Sequence, residues 1–268
     1  GAHVEPKARV PLFHNENLFP TEEQLPGFKA SARRAAQLVV SVGHELAQLI
    51  DRRLDLVPGY ASGSLTAVVR KGPDSNHKCR LIRYHPYETE EEVIQTKGMW
   101  AAPHLDTGSL TGLVPGIFVD ARGQPAASPD ASTGLYVLDR QGKPLKAELP
   151  SGVADGLFFQ IGESLQIISG SELQATPHYV QGPSCPQPGG VSRCSMAVFM
   201  QPQPHELLPI PSKMSYEEVA GKTADRHLPA SWPSLEKRFK QLGLSKGQVL
   251  TFGQHGEATF SNLGRSDD

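Results

Sequence analysis

Three side chains of this sequence carry the donor types of a metal centre. His104-Leu105-Asp106 lies in the stretch APHLDTGSLTGLV, and His178 closes QATPHYV. Residues two apart in an extended strand share a face, so the imidazole at 104 and the carboxylate at 106 project side by side. A third ligand then arrives from a later strand. Two imidazoles and one carboxylate on one side of a cation leave its opposite side open, the facial arrangement of non-haem Fe(II) oxygenases. A His-x-Asp pair alone is weak in a chain with ten histidines. Its place before Thr107-Gly108, a turn into another strand, strengthens it.

A second pair sits on the strand expected after His178. Arg193 and Ser195 are again two apart and share a face. A guanidinium grips a carboxylate through two parallel hydrogen bonds, and a neighbouring hydroxyl adds a third. A dicarboxylate that chelates the metal at one end would thus be held by Arg193 and Ser195 at the other. The remaining polar groups carry weaker signals. His85, at a strand end, divides evenly between packing and function. His44 lies in a helix and is read as packing, and Glu163 follows Gly162 in a turn. His205 and Glu206 belong to a loop, Lys97 and the run Glu88–Glu92 to solvated surface. Met196, Phe199, Met200 and Trp100 are expected in the core.

Positioning these groups requires strands. Short apolar runs broken by turns give candidate strands at 65–70, 79–84, 100–105, 109–114, 134–139, 157–160, 164–169, 174–180 and 193–200. Loops are expected at 119–133 and 181–192, and a hairpin turn at Asp139–Lys143. Before the strands, Ala32, Ala35, Ala36, Val39, Val42, Leu46, Leu49 and Ile50 recur at helical spacing. They predict a support helix from Ser31, as N-cap, to Leu54. Helical texture returns at Ser215–Ala220 and Ser234–Leu242, and no pattern is legible after Gly253. The simplest division is a single domain over 1–268. Residues 1–64 form an irregular lead-in and the support helix, 65–202 a β core, and 203–268 C-terminal helices and tail.

Composition narrows the class. The chain has 268 residues, 38% of them hydrophobic and 20% charged, enough for a sizeable core. Its 26 glycines and 23 prolines favour turns and short strands. A net charge of −2 gives no global attraction to nucleic acid, and no apolar run reaches the ~20 residues of a membrane span. Three cysteines, Cys79, Cys185 and Cys194, with no Cys-x-x-Cys pair, argue against a disulfide framework and against zinc fingers. A monomer in the cytoplasm is the expectation. The chain begins with glycine, so an earlier targeting segment stays open.

The stretches HLDTGSLT, FFQIGESLQIISGSELQATPHYV and RCSMAVFMQP hold the metal pair, the distal histidine and the Arg-x-Ser pair in order. Over roughly Cys79 to Pro202 the chain resembles the Fe(II)- and 2-oxoglutarate-dependent dioxygenases of the isopenicillin N synthase-like, plant-type family. The resemblance implies a mainly β fold with flanking helices, a double-stranded β-helix (jelly roll, cupin-like). It implies Fe(II) on His104, Asp106 and His178, and 2-oxoglutarate on Arg193 and Ser195. With O2, and ascorbate as reductant, such an enzyme hydroxylates or desaturates a small organic substrate and releases succinate and CO2. Departures exist. His85 stands where the family has a tyrosine that helps hold the co-substrate, Tyr179 replaces an arginine, Gly162-Glu163 replaces Gly-Asp, and the 181–192 loop is long. Competing expectations are an iron-dependent oxidase that does not use 2-oxoglutarate, a non-catalytic binding module, and a zinc hydrolase. The last lacks a helical His-Glu-x-x-His segment.

Overall fold

Two four-stranded antiparallel sheets face each other, with helices on the outside of one of them. The computed structural model describes residues 18–70, 72, 75–151, 153, 155–222, 228, 232–244 and 248–263. Most of the irregular lead-in expected before the support helix, residues 1–17, lies outside the described residues. In chain order the elements are α1 (Phe28–Leu54), α2 (Ser64–Val68), β1 (Lys78–Tyr84), α3 (Glu90–Thr96), β2 (Met99–His104), β3 (Leu110–Val119), β4 (Gly134–Leu138), β5 (Pro144–Lys146), β6 (Phe158–Ile161), α4 (Glu163–Ile168), β7 (His178–Gln181), β8 (Ser192–Met200), β9 (Leu207–Leu208), α5 (Tyr216–Ala220), α6 (Leu235–Gln241), β10 (Leu250–Thr251) and α7 (Phe252–Leu263). One sheet runs β1-β8-β3-β6, the other β2-β7-β4-β5, and β9 pairs with β10. This is the expected double-stranded β-helix.

β8 shows how the sequence builds both layers. Its alternate residues Met196, Val198 and Met200 belong to the buried core. The intervening Arg193, Ser195, Ala197 and Phe199 line the cavity between the sheets. Outside this sheet runs α1, whose buried residues Val39, Gly43, Ala47, Asp51 and Leu54 recur every three or four positions. The approach is close. A Cβ on Gly43 would collide with Met200, and one on Gly112 of β3 with Val39. Glycine at both positions lets the helix settle onto the strands. β3 lies inside the first sheet, between β6 and β8, with Thr111 opposite Gln160 on one side and Phe199 on the other.

The structure departs from the sequence expectations in several elements. The runs 65–70 and 164–169, expected as strands, are the helices α2 and α4. Apolar runs of this length do not distinguish a strand from a buried helical turn. All six residues of α4 are buried, so no polar face betrays its period. α1 starts at Phe28, after Gly27 at φ 74°, rather than from a Ser31 cap. The strand expected over 174–180 shortens to His178–Gln181, and the described residues after Gly253, as far as Leu263, belong to α7. The turn at Asp139–Lys143 is present between β4 and β5, where Asp139 N–H donates to the Lys143 carbonyl at 3.0 Å. All three cysteines are free.

Candidate metal centre

His104 and His178 meet because β2 and β7 pair with these residues as direct partners. Their ring centroids are 4.2 Å apart. Asp106 lies just beyond the end of β2, where the chain turns toward β3. One potential ligand atom from each of His104, Asp106 and His178 falls within 4.8 Å of the others. Among the described residues they are the one His/Cys/Asp/Glu group so arranged.

Hydrogen bonds orient each donor. His104 Nδ1 contacts the Ala102 carbonyl at 2.8 Å, and His178 Nδ1 contacts the Thr176 carbonyl at 3.0 Å. In each case the carbonyl belongs to the residue two positions earlier. A proton held on Nδ1 by that carbonyl leaves the Nε2 lone pair free for a cation. Asp106 Oδ2 accepts from Thr111 Oγ1 and from Gln160 Nε2, both at 2.6 Å. Oδ1 remains, 4.0 Å from His178 Nε2. Gln160 Nε2 also lies 3.1 Å from His178 Nε2, a contact that a metal on this nitrogen would replace.

The electrostatics favour ligand protonation states. Burial lowers the pKa of His104, and the neighbouring His178 lowers it further, against the pull of Asp106. A neutral imidazole is the metal-binding form. Burial alone would raise Asp106. The two imidazoles and the hydrogen bonds from Thr111 and Gln160 outweigh it and hold the carboxyl below its ordinary value.

The triad opens onto a cavity of about 770 Å³ between the two sheets. Arg193 and Ser195 line it as expected from their shared face. The Arg193 guanidinium is buried, 8% exposed, and has no carboxylate partner among the described residues. It packs against Gly116, where any side chain would strike it, and lies 5.8 Å from the Tyr84 ring centroid. Burial lowers its pKa. A buried, unpaired cation in a cavity is costly unless an anion joins it.

His85, the candidate co-substrate contact, is exposed and does not line the cavity. Register explains the correction. Tyr84 pairs with Arg193 and Ile82 with Ser195, so even-numbered residues of β1 face inward. Tyr84 faces the cavity instead of His85, and it stacks on Trp100 at 5.6 Å between centroids. Glu163 also differs from expectation. It is the first residue of α4, fully buried, and points away from the triad to Arg238 of α6. His44 is a packing residue as read, with Nδ1 2.8 Å from the Val69 carbonyl. Sequence reasoning missed Thr111 and Gln160. Thr111 stood inside the quoted HLDTGSLT stretch, and Gln160 was the one polar side chain in its expected strand.

No protein-family model matches this sequence, and no curated protein does. Solved structures share the fold. A full-length Neurospora crassa protein in complex with alpha-KG superposes with a TM-score of 0.59 at 18% identity, covering 92% of this chain and 62% of its own. A Caulobacter crescentus protein named for the 2OG-Fe(II) oxygenase family gives 0.58 at 20% identity, covering 96% and 66%. JOX2 in complex with 2OG, Fe and JA gives 0.51 at 17%, covering 90% and 62%. The chain therefore spans about 62% of the length of the first of these. The class that emerges is the jelly-roll fold found in 2OG-Fe(II) oxygenases, here with a His-Asp-His group on the wall of its cavity.

Proposed function

We propose that this chain is an Fe(II)- and 2-oxoglutarate-dependent oxygenase acting on a small organic substrate. The observation that carries the reading is the pairing of two features in one cavity. The His104, Asp106 and His178 donors converge at one end, and the buried, unpaired Arg193 waits at the other. The donor set fits the metal, since two imidazoles and a carboxylate are the facial triad of non-haem iron. His104 Nε2, Asp106 Oδ1 and His178 Nε2 would hold it. Bound iron with 2-oxoglutarate would supply the oxidising power of O2, with succinate and CO2 as co-products.

The chain's own residues do the rest. The Ala102 and Thr176 carbonyls would hold the proton on each Nδ1, and Thr111 with Gln160 occupies Asp106 Oδ2 and so would leave Oδ1 for a metal. Arg193 and Ser195 would anchor the far carboxylate of the co-substrate, with Tyr84 packed against the guanidinium. Apolar cavity walls such as Leu113, Phe118 and Leu135 exclude water from the cavity. Solved neighbours of this fold are named in complex with alpha-KG and thymine, or with 2OG, Fe and JA, which supports a small-molecule substrate. Among the described residues no helix is long and apolar enough to cross a membrane. Arg193 and Ser195 favour the 2-oxoglutarate reading over an iron oxidase that dispenses with it.

The test is an anaerobic Fe(II) titration followed by measurement of 2-oxoglutarate-dependent succinate release. Stoichiometric binding and succinate formation, both lost in His178→Ala, are the expected results. Undiminished turnover in His178→Ala would refute the iron assignment. Iron binding and O2 uptake without succinate would point to the oxidase.

A further inference from the structure

A second guanidinium, Arg80, lines the same cavity from its solvent-exposed rim, where the co-substrate does not engage it. On β1, Arg80 shares the inward face with Ile82 and Tyr84. It sits four residues from Tyr84, about 13 Å along the strand, and so away from the Arg193 end. Its cross-strand partner is Ala197, and its guanidinium carbon lies 5.2 Å from the centroid of the Phe199 ring. Phe199 in turn pairs with Thr111, whose hydroxyl bonds Asp106. Arg80 is therefore held beside the metal-ligand end of the cavity. No carboxylate lies within ion-pair distance of it among the described residues. The other lining cation, Lys146, is already paired with Glu148 at 2.9 Å.

Charge balance makes this informative. A divalent iron and Arg193 together neutralise Asp106 and a dianionic 2-oxoglutarate. Lys146 and Glu148 cancel each other. Arg80, solvated at the rim and without an ion-pair partner among the described residues, remains the free anion-binding group on the side of the cavity where a substrate must present its C–H bond. The nearby walls, Ile82, Ala101, Val180 and Phe199, are apolar.

We infer that the substrate is an organic monocarboxylate with an apolar body, and that Arg80 receives its carboxylate. The inference rests on the oxygenase reading and deepens it. Arg80 is a binding residue that fixes which end of the substrate lies beside the metal. Its planar fork accepts a carboxylate through two parallel hydrogen bonds, and Phe199 beneath it restricts the guanidinium plane.

The test uses the full chain loaded with Fe(II) and 2-oxoglutarate under argon, so that binding is read without turnover. Charge-transfer absorption on adding 2-oxoglutarate first reports the iron–co-substrate complex. Calorimetry then compares a panel of phenyl- and alkyl-substituted monocarboxylates, each against its own primary amide. Carboxylates should bind about ten- to a hundredfold more tightly than their amides, the range of a charge-assisted hydrogen bond. Arg80→Gln should collapse that ratio toward one, and Arg80→Lys should restore part of it. Equal affinity for acids and amides, or a ratio unchanged in Arg80→Gln, would overturn the Arg80 assignment while leaving the oxygenase reading intact. Absence of the charge-transfer absorption would instead refute the oxygenase reading, and this inference with it.

Discussion

The backbone N–H of Glu163 donates to the carbonyl of Asp106 at 2.8 Å, while the Glu163 side chain is buried against Arg238. One residue thus ties the loop carrying a candidate metal ligand to the C-terminal helices. The clamp is wider than this bond. Ser164 N–H donates to Gly108, Ser164 Oγ to Thr107, and Gly162 N–H to Ser109. Gly162 itself admits no side chain, because a Cβ there would collide with the Gly108 carbonyl. The N-terminus of α4 therefore holds the whole Asp106–Ser109 turn.

Breaking the buried pair should cost more than an ordinary surface substitution. Arg238 Nη1 donates to Glu163 Oε2 at 2.9 Å and to Thr259 Oγ1 at 2.6 Å, with no solvent access. Glu163→Ala strands the guanidinium without a counter-charge, at a cost of about 3–5 kcal/mol. Denaturant unfolding at neutral pH checks this. The paired change Glu163→Leu with Arg238→Met should recover most of the loss, since an apolar replacement removes both charges together.

Acid should destabilise the protein through the same cluster. Burial would raise the Glu163 carboxyl, but Arg238 and His255 hold it down at about 2. An unfolded glutamate titrates at about 4.3. The stabilisation is therefore complete above that value and is lost as pH falls toward 2. His255, also buried, has its pKa lowered by burial despite Glu163. Unfolding lets it take a proton near its ordinary value of about 6.5, so its contribution likewise falls as the solution is acidified below that point. Urea midpoints should decline between about pH 6.5 and 4 and more steeply below. Midpoints that stay level down to pH 3 would contradict this account.

Thr111→Val should weaken iron binding without emptying the site. The hydroxyl donates to Asp106 Oδ2 at 2.6 Å, and valine keeps the shape while removing the donor. Losing such a partner behind a metal ligand costs about ten- to a hundredfold in affinity. Anaerobic Fe(II) titration of the variant against the parent measures it. Gln160→Leu, which removes the other donor to Oδ2, should fall in the same range.

Arg193→Met should raise the 2-oxoglutarate concentration needed for half-maximal succinate release by about ten- to a hundredfold. Iron affinity should stay close to the parent's, because the guanidinium makes no contact with the triad among the described residues. Arg193→Lys should recover only part of the loss, since an ammonium keeps the charge but not the fork. Steady-state kinetics with varied 2-oxoglutarate decide the matter.

What the sequence determined by itself is whatever follows from local periodicity and residue chemistry. Residue type names His104 and Asp106 as candidate donors, although in the fold Asp106 reaches His104 from just past the end of β2. The two-residue spacing of Arg193 with Ser195 puts both on the cavity face of β8, because a strand's period of two fixes which side chains share a face. The same period runs along β8, but residue type alone assigns Phe199 to the core with Met196 and Met200, and the structure turns it to the cavity. What only the tertiary structure decided depends on partners far away in the chain. Whether Tyr84 or His85 faces the cavity is settled by the register of β1 on β8, where a slip of one residue would turn every side chain over. The helical state of 163–168 comes from burial on all sides, with Gly162–Ser164 fitted to the Asp106 turn. Glu163 meets Arg238 across 75 positions, and Arg80 is set beside Phe199 by strand pairing. Nothing in a local pattern encodes such meetings, because chain closure over long loops is driven by the collective burial of the core and not by the residues that end up touching.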